Sequence, residues 1–222
     1  MSWLFRSSIY SDVEEIDPDL PEHCTVVIVG TGSAGLCTGI RLAKSGRGDF
    51  VLLDRAADVP RQLRRRAHES GVWQHLRFET DLHRAHWEAA DSWWRLRTSR
   101  GTMTATFLVL ASDNATSVVR GREGRRLEQP GLTVPGFPNL FVLLDDGAEV
   151  RMVTTGLNLF ARKRIREFEM RAPVESGRRS TARFHPQNYH LTVGQPLPGD
   201  PTYREVEKVP QPSAVGAERL AP

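Results

Sequence analysis

The feature that most constrains the fold of this chain is an apolar run at residues 26–29 that leads directly into the motif GTGSAG at residues 30–35. The run consists of β-branched residues, which favour a strand, and three glycines at this spacing are typical of a tight turn from a strand into a helix. Gly30 permits the sharp exit from the strand, Gly32 lets a ligand approach the backbone, and Gly35 lets the helix pack closely on the sheet. The motif therefore predicts a strand–turn–helix unit with a ligand-binding turn.

The predicted turn has the chemistry of a dinucleotide site. A helix that begins here presents free amide groups and the positive end of its dipole, which favour a pyrophosphate, so Ser33 and Ala34 are expected to contact one. A second apolar segment, residues 50–53, ends on Asp54, whose carboxylate can accept hydrogen bonds from both hydroxyls of an adenosine ribose. The alternative interpretation of Asp54 is an acid in solvent at a strand end, and Arg55 beside it could instead meet a 2′-phosphate.

Composition limits the remaining possibilities. The chain has 222 residues, of which 39% are hydrophobic and 26% charged, which fits one globular domain or one domain and a partial second. A formal net charge of +3 does not argue for nucleic acid, and no stretch has the length needed to cross a bilayer. The acidic start is opposite in charge to a signal peptide, and Cys24 and Cys37 resemble apolar fillers of a reduced protein. We therefore expect a cytoplasmic protein with no nucleic-acid partner and no integral membrane segment.

Downstream, short segments with strand character predict an antiparallel meander rather than further β-α units. These segments are residues 76–79, 82–88, 93–98 and 103–111. Residues 60–69 before them predict a helix that begins with proline. After them, residues 112–129 are polar and predict a loop, and residues 140–144 predict a buried strand. Apolar residues from Leu157 to Phe168 recur at helical spacing and predict a basic amphipathic helix.

Together these segments resemble the FAD-dependent monooxygenases of the Baeyer–Villiger and flavin-containing type. Residues 26–59 are similar to the FAD fingerprint of that family, residues 71–111 to its meander, and residues 131–144 to the strand that closes its FAD domain, with a weaker match at residues 183–189. The resemblance implies an α/β fold of the FAD/NAD(P)-binding, Rossmann-like class, with a parallel sheet and an inserted antiparallel β-meander. It implies FAD as the cofactor, with NADPH as co-substrate.

The resemblance also implies a division of the chain. Residues 1–23 would form an acidic N-terminal lead-in, and residues 24–147 an FAD-binding domain that is split by the meander at residues 76–111. Residues 148–194 would carry the basic helix and a C-terminal extension. Residues 195–222 are rich in proline, glycine and charge and are expected to form a disordered tail.

Two further cofactor contacts are implied by the resemblance. Leu82 stands where the family's meander passes the adenine and would contact it through its backbone; a core leucine is the compatible alternative. Asp145 or Asp146 would face the ribityl chain of FAD, or would be acids of a turn.

His83 and His86 are three residues apart, which on a strand places them on opposite faces and argues against a shared metal ion. No catalytic acid, base or nucleophile is predicted, because flavin chemistry takes place on the cofactor.

The chain departs from the family at positions that bear on function. Where the family has a Gly-Gly-x-Trp turn against the flavin, this sequence continues with Pro60-Arg61, and where the family has a Thr-Gly turn it has Ser112-Asp113. The NADPH domain of the family and its signature are also missing. The chain therefore resembles an internally deleted monooxygenase.

Three functional hypotheses follow. The first is an FAD-dependent oxidoreductase of the monooxygenase type, in which NAD(P)H drives oxygen insertion into a small organic substrate, with a reductase or a second chain as partner. The second is a non-catalytic remnant that holds only the ADP half of a dinucleotide. The third, a minor one, makes the basic helix a docking surface for an acidic partner or a membrane face.

Overall fold

The computed structural model describes residues 19–128, 131–143, 148–163, 165–170 and 189–193. The helices in this part of the chain are α1 (Ser33–Lys44), α2 (Arg61–Glu69) and α3 (Ala148–Lys163). The strands are β1 (His23–Val29), β2 (Phe50–Leu53), β3 (Leu76–Arg77), β4 (Leu82–Glu88), β5 (Trp93–Thr98), β6 (Gly101–Leu110), β7 (Val119–Arg120), β8 (Leu140–Val142), β9 (Ile165–Met170) and β10 (Tyr189–Val193). Most of the predicted lead-in and all of the predicted tail lie outside the described residues.

The parallel part of the main sheet has the order β3-β2-β1-β6-β8. β1 lies between β2 and β6, and its last residue, Val29, is in register with Leu53 on one side and Leu110 on the other. The three strands therefore end together, and their carboxyl ends form one edge of the sheet. Helix α1 connects β1 with β2, as the glycine motif predicts. The predicted α/β class with a parallel sheet is confirmed.

An antiparallel meander of β4, β5 and β6 is joined to the parallel strands through β6. This strand of ten residues pairs with β5 along its first half and with β8 along its second half, while β1 lies on its opposite side. β7 extends the meander by pairing in parallel with β4. The inserted meander is thus confirmed, and β6 couples it to the parallel sheet.

Two segments before β8 differ from their prediction. Residues 76–79 are predicted as the first meander strand, but only Leu76–Arg77 is a strand, and it pairs in parallel with β2. That prediction is wrong because a short apolar segment does not reveal its partner; the 3₁₀ turn Trp73–His75 brings it to the free edge of β2. Residues 112–129 form more than a loop, since they contain β7, in which Val119 is fully buried.

Apolar residues cover the main sheet in two clusters. One cluster contains residues from all three helices, among them Leu36 of α1, Leu63 of α2 and Leu157 of α3. The other contains the meander, where Trp94 is fully buried and Trp87 packs edge to face against it, with ring centroids 5.4 Å apart. Large aromatic side chains provide much of the apolar area that is buried in such a cluster.

The predicted helix from Leu157 to Phe168 is wrong at both ends. Helix α3 begins at Ala148 and ends at Lys163, and Phe168 lies on β9, which pairs with β10. The main-chain N–H of Phe168 donates to Asn139 Oδ1 at 2.7 Å, and its carbonyl accepts from the Asn139 N–H at 2.8 Å. These tertiary contacts stabilise an extended strand, so the helical spacing of the apolar residues does not decide the structure.

Asn139 connects this strand to the main sheet. It is fully buried and has a φ of +55°, a conformation that asparagine tolerates better than most residues. Its side-chain amide donates to the Arg166 carbonyl at 2.9 Å, and its own carbonyl accepts from the Leu108 N–H in β6 at 3.0 Å. A single residue thus links β6, the start of β8 and β9.

The closeness of α1 to β1 gives a test of the fold. We expect Gly35→Ala to lower the free energy of unfolding by about 3 kcal/mol or more, because the new Cβ would lie 1.9 Å from the Gly30 carbonyl oxygen, a backbone atom that cannot easily move. Gly48→Ala is the matched control, since a Cβ there meets nothing within 4 Å. Urea unfolding followed by circular dichroism measures both, and equal stabilities would contradict the packing described.

Candidate functional site

A cleft opens at the edge where β1, β2 and β6 end. Its volume is about 390 Å³ when the open mouth is included. Its walls come from four separate segments: the ends of β1 and β2, the residues that lead into β4, and the residues that follow β6. The lining residues are Val29, Gly30, Leu53, Asp54, Arg55, Thr80, Asp81, Leu82, Ser112 and Ala115. In open parallel sheets, ligands bind outside the carboxyl ends of the strands, which is the position of this cleft.

The glycine turn at one side of the cleft is packed tightly between its neighbours. Gly30 has a φ of +107°, in the region that favours glycine, and its N–H donates to the Leu53 carbonyl at 2.8 Å. A Cβ at Gly30 would also lie 2.9 Å from the Ala111 carbonyl oxygen, and a Cβ at Gly35 would overlap the Gly30 carbonyl. The first and third glycines of the motif therefore allow the sharp turn and the close helix packing for which they were predicted.

Gly32, the second glycine, lies in open space. A Cβ there would meet no described atom within 4 Å, and both Gly32 and Ser33 are exposed. Gly32 is the N-cap of α1, and no side chain caps the helix. The first helical bond runs from the Leu36 N–H to the Gly32 carbonyl at 2.9 Å, so the amides of Ser33 and Ala34 have no acceptor within the helix. Amides without an acceptor in the helix, at the positive end of its dipole, fit a pyrophosphate.

Asp54 lies where β2 ends and is bound to the glycine turn. Its Oδ2 accepts hydrogen bonds from the Thr31 main-chain N–H at 2.7 Å and from the Thr31 hydroxyl at 2.6 Å. Its Oδ1 accepts from the Ala56 N–H at 2.9 Å. The interpretation as an acid with only solvent around it is therefore wrong: Asp54 joins the end of β2 to the turn after β1, and it lines the cleft as well.

Another wall of the cleft is formed by the chain that leads into β4. Thr80 is buried, and its N–H donates to the Asp54 carbonyl at 2.8 Å, which sets this segment beside the end of β2. Asp81 is exposed, whereas Leu82 is buried in the meander cluster and lines the cleft at the same time. Leu82 is thus a core residue that also lines the cleft, and its predicted backbone contact with the adenine stays a prediction. Arg55 is exposed and lines the cleft next to Asp54.

The structure brings most of the predicted site residues together. Gly30, Asp54, Arg55 and Leu82 share the cleft lining. Gly32, Ser33, Ala34 and Gly35 form the adjoining turn and the start of α1. Asp145 and Asp146 lie outside the described residues, so their predicted role stays a prediction.

Some residues of the site escape sequence reasoning. They are Thr31, Thr80, Asp81, Ser112 and Ala115. Thr31 lies beside Asp54 because Val29 pairs with Leu53, so that the residues just beyond each strand are neighbours, and this register is known only from the structure. The resemblance supplies a signal for Ser112, which stands where the family has a Thr-Gly turn close to the cofactor, whereas no signal exists for Ala115, whose position depends on the turn after β6.

Other candidate groups do not form a second site in the part of the chain that the structure covers. No cluster of three or more His, Cys, Asp or Glu side chains there could hold a metal ion. Cys24 is buried, and burial, reinforced by the charge of Asp49, raises its pKa to about 12. A thiol of this kind stays protonated and is an apolar filler rather than a nucleophile.

Comparison with known proteins confirms the resemblance to Baeyer–Villiger monooxygenases. A curated Baeyer–Villiger monooxygenase of Streptomyces coelicolor is 27% identical over 132 residues, covering 41% of this chain and 25% of that protein. The chain thus spans about a quarter of the length of this relative. No family model matches the chain.

Several solved structures are also similar. An oxidized steroid monooxygenase bound to NADP is 21% identical, with 40% of this chain and 26% of that chain covered and a TM-score of 0.38. The FAD-bound form of OTEMO is 16% identical over 40% of this chain and 25% of that one, with a TM-score of 0.38. Cyclohexanone monooxygenase from Rhodococcus sp. Phi1 bound to NADP+ is 16% identical over 51% and 29%, with a TM-score of 0.37.

None of the helices that the structure describes is long and apolar enough to span a membrane.

Proposed function

We propose that this chain is a flavoprotein of the monooxygenase type that binds the ADP portion of FAD in the cleft beside the glycine turn. The observation that carries the proposal is that Gly30 of the glycine turn, Asp54 and Leu82 line one cleft from three separate segments. The uncapped start of α1 follows Gly30 directly and adjoins this cleft. The start of α1, Asp54 and Leu82 each supply an interaction that matches a different part of ADP. The similarity to a Baeyer–Villiger monooxygenase supports FAD over other dinucleotides.

The chain's own residues would divide the work of binding. The amides of Ser33 and Ala34 would donate to the pyrophosphate, which can approach because Gly32 has no side chain. Asp54 would accept a hydrogen bond from the ribose, and Leu82 would lie against the adenine. Arg55 is a cation beside Asp54, and its guanidinium would bind the 2′-phosphate if NADPH entered the same cleft.

When bound, FAD would supply the redox chemistry for oxygen insertion into a small organic substrate, with NADPH as the source of electrons. The residues described here bind and orient the ADP end of the cofactor. A separate reductase or a second chain would present the nicotinamide. We propose residues 24–147 as the FAD-binding unit, with residues 148–194 as an extension of it.

The second candidate function is binding of the dinucleotide without turnover. The observation that favours it is the direct pairing of β6 with β8, which residues 111–139 connect through 3₁₀ turns and β7. In the resembled family an NADPH domain follows β6. The short connection leaves FAD binding intact while removing the family's own route for reduction.

Uptake of FAD tests the binding proposal. We expect the purified chain to bind added FAD weakly and Gly32→Val to abolish binding, because the valine side chain would occupy the space proposed for the pyrophosphate. Asp54→Ala should only weaken binding, since the amides of the turn remain. Equilibrium dialysis followed by absorption at the flavin bands measures each variant.

Gly48→Val is the matched control for Gly32→Val. Gly48 is also exposed with open space around it, but it precedes β2 and lies far along that strand from the cleft. The Gly48→Val variant should therefore bind FAD with the same affinity as the parent chain. FAD uptake that is unchanged by Gly32→Val would show that the glycine turn is not the site.

Turnover separates the two candidate functions. With saturating FAD, NADPH and a flavin reductase, a monooxygenase of this type should consume NADPH and oxygenate ketones or sulfides. Product analysis by mass spectrometry, with Gly32→Val as the inactive control, measures this. Oxygenated product from the parent chain alone or with the reductase would exclude the binding-only function, and FAD uptake without product would exclude the monooxygenase.

A further inference from the structure

The contact between Thr31 and Asp54 places two donors on one carboxylate oxygen. The Thr31 main-chain N–H and the Thr31 hydroxyl reach Asp54 Oδ2 at 2.7 and 2.6 Å. The Ala56 N–H reaches the other oxygen, Oδ1, at 2.9 Å. Three protein donors therefore bind this carboxylate.

The number of acceptor positions on a carboxylate limits what else it can bind. An ionised carboxylate has about four lone-pair positions that accept hydrogen bonds. With three of them occupied by Thr31 and Ala56, Asp54 has about one position left for a ligand. Two ribose hydroxyls cannot both be accepted unless a protein donor is released.

Release of Thr31 is unfavourable because this residue is buried. Thr31 is 2% exposed, so water cannot replace Asp54 as the acceptor of its hydroxyl. A buried hydroxyl without a partner bears the full cost of its desolvation, which offsets the gain from a second bond to the ribose. The bonds from Thr31 should therefore persist when a nucleotide binds.

We infer that Thr31 is a specificity-determining residue that restricts Asp54 to one of the two ribose hydroxyls of a bound adenine nucleotide. The inference rests on the proposed binding of ADP in this cleft. It replaces the expectation, drawn from the sequence, that Asp54 accepts hydrogen bonds from both hydroxyls. Asp54 does not bind the other hydroxyl. Removal of that hydroxyl, whether it is the 2′ or the 3′ one, should therefore leave the affinity for the nucleotide nearly unchanged.

Calorimetric titration with ADP, 2′-deoxy-ADP, 3′-deoxy-ADP and 2′,3′-dideoxy-ADP tests the inference. In the parent chain, loss of one hydroxyl should weaken binding about tenfold or more, as expected for a hydrogen bond to a charged group. Loss of the other hydroxyl should change the dissociation constant less than about twofold, because that hydroxyl makes no hydrogen bond to Asp54. The dideoxy nucleotide should bind like the weaker monodeoxy one.

Thr31→Val keeps the shape of the side chain and removes its donor, which frees a position on Asp54 Oδ2. Both monodeoxy nucleotides should then bind about tenfold more weakly than ADP. Thr31→Ser keeps the donor and should restore the parent pattern. Thr38→Val is the matched control: Thr38 is also buried, but its hydroxyl donates to the Ala34 carbonyl at 2.8 Å within α1.

The failure of the inference differs from the failure of the proposed function. If ADP does not bind the parent chain, or binds Gly32→Val equally well, the proposed site is wrong. If ADP binds at the glycine turn and both hydroxyls contribute in the parent chain, the inference alone is overturned. A single contributing hydroxyl in a folded Thr31→Val variant, verified by thermal unfolding, also overturns it. Should Thr31→Val not fold, the pattern of the parent chain alone decides.

Discussion

The close contact between the start of α1 and the end of β1 is the constraint on which the rest of the site depends. The absence of a Cβ at Gly35 lets the helix approach the Gly30 carbonyl, and this approach fixes the direction of α1 relative to the sheet. The helix then presents its first amides at the carboxyl edge, beside the end of β2. Because β1 has Leu53 and Leu110 as neighbours of its last residue, the turn is held from both sides.

The connection from β6 to β8 is an integral part of this fold. Ala115, Val119, Leu127 and Phe137 are buried along it, and Ala115 also lines the cleft. Arg122 joins the connection to β9 through ion pairs with Glu167 and Glu169, so that the following strand is anchored to it.

The buried side chains of the connection between β6 and β8 remove apolar area from water and thereby stabilise the sheet. In the resembled family a whole domain stands at this place. In this chain the connection completes the wall of the cleft through Ser112 and Ala115. The shortened segment is therefore compatible with nucleotide binding, and the proposed loss concerns the supply of electrons.

The parts of the fold that sequence reasoning predicts correctly are those in which a local pattern has one structural solution. The run at residues 26–29 followed by three spaced glycines permits little besides a strand, a turn and a helix, and Asp54 after an apolar strand belongs at the same edge. The pairing of Leu76 and the secondary structure of Phe168 are predicted wrongly because each depends on a partner distant in sequence: the edge of β2 for Leu76 and the side chain of Asn139 for Phe168. The Thr31 hydroxyl bond to Asp54 is of the same kind, since only the register of β1 and β2 brings the two residues together.

We propose that the amides at the start of α1 and the carboxylate of Asp54 form one site for the ADP portion of a dinucleotide. A crystal structure of the full chain with ADP tests it most directly. We expect the diphosphate within hydrogen-bonding distance of the Ser33 and Ala34 amides, beside Gly32, with the ribose next to Asp54. A nucleotide bound elsewhere, or a diphosphate that does not contact these amides, would contradict the proposed site.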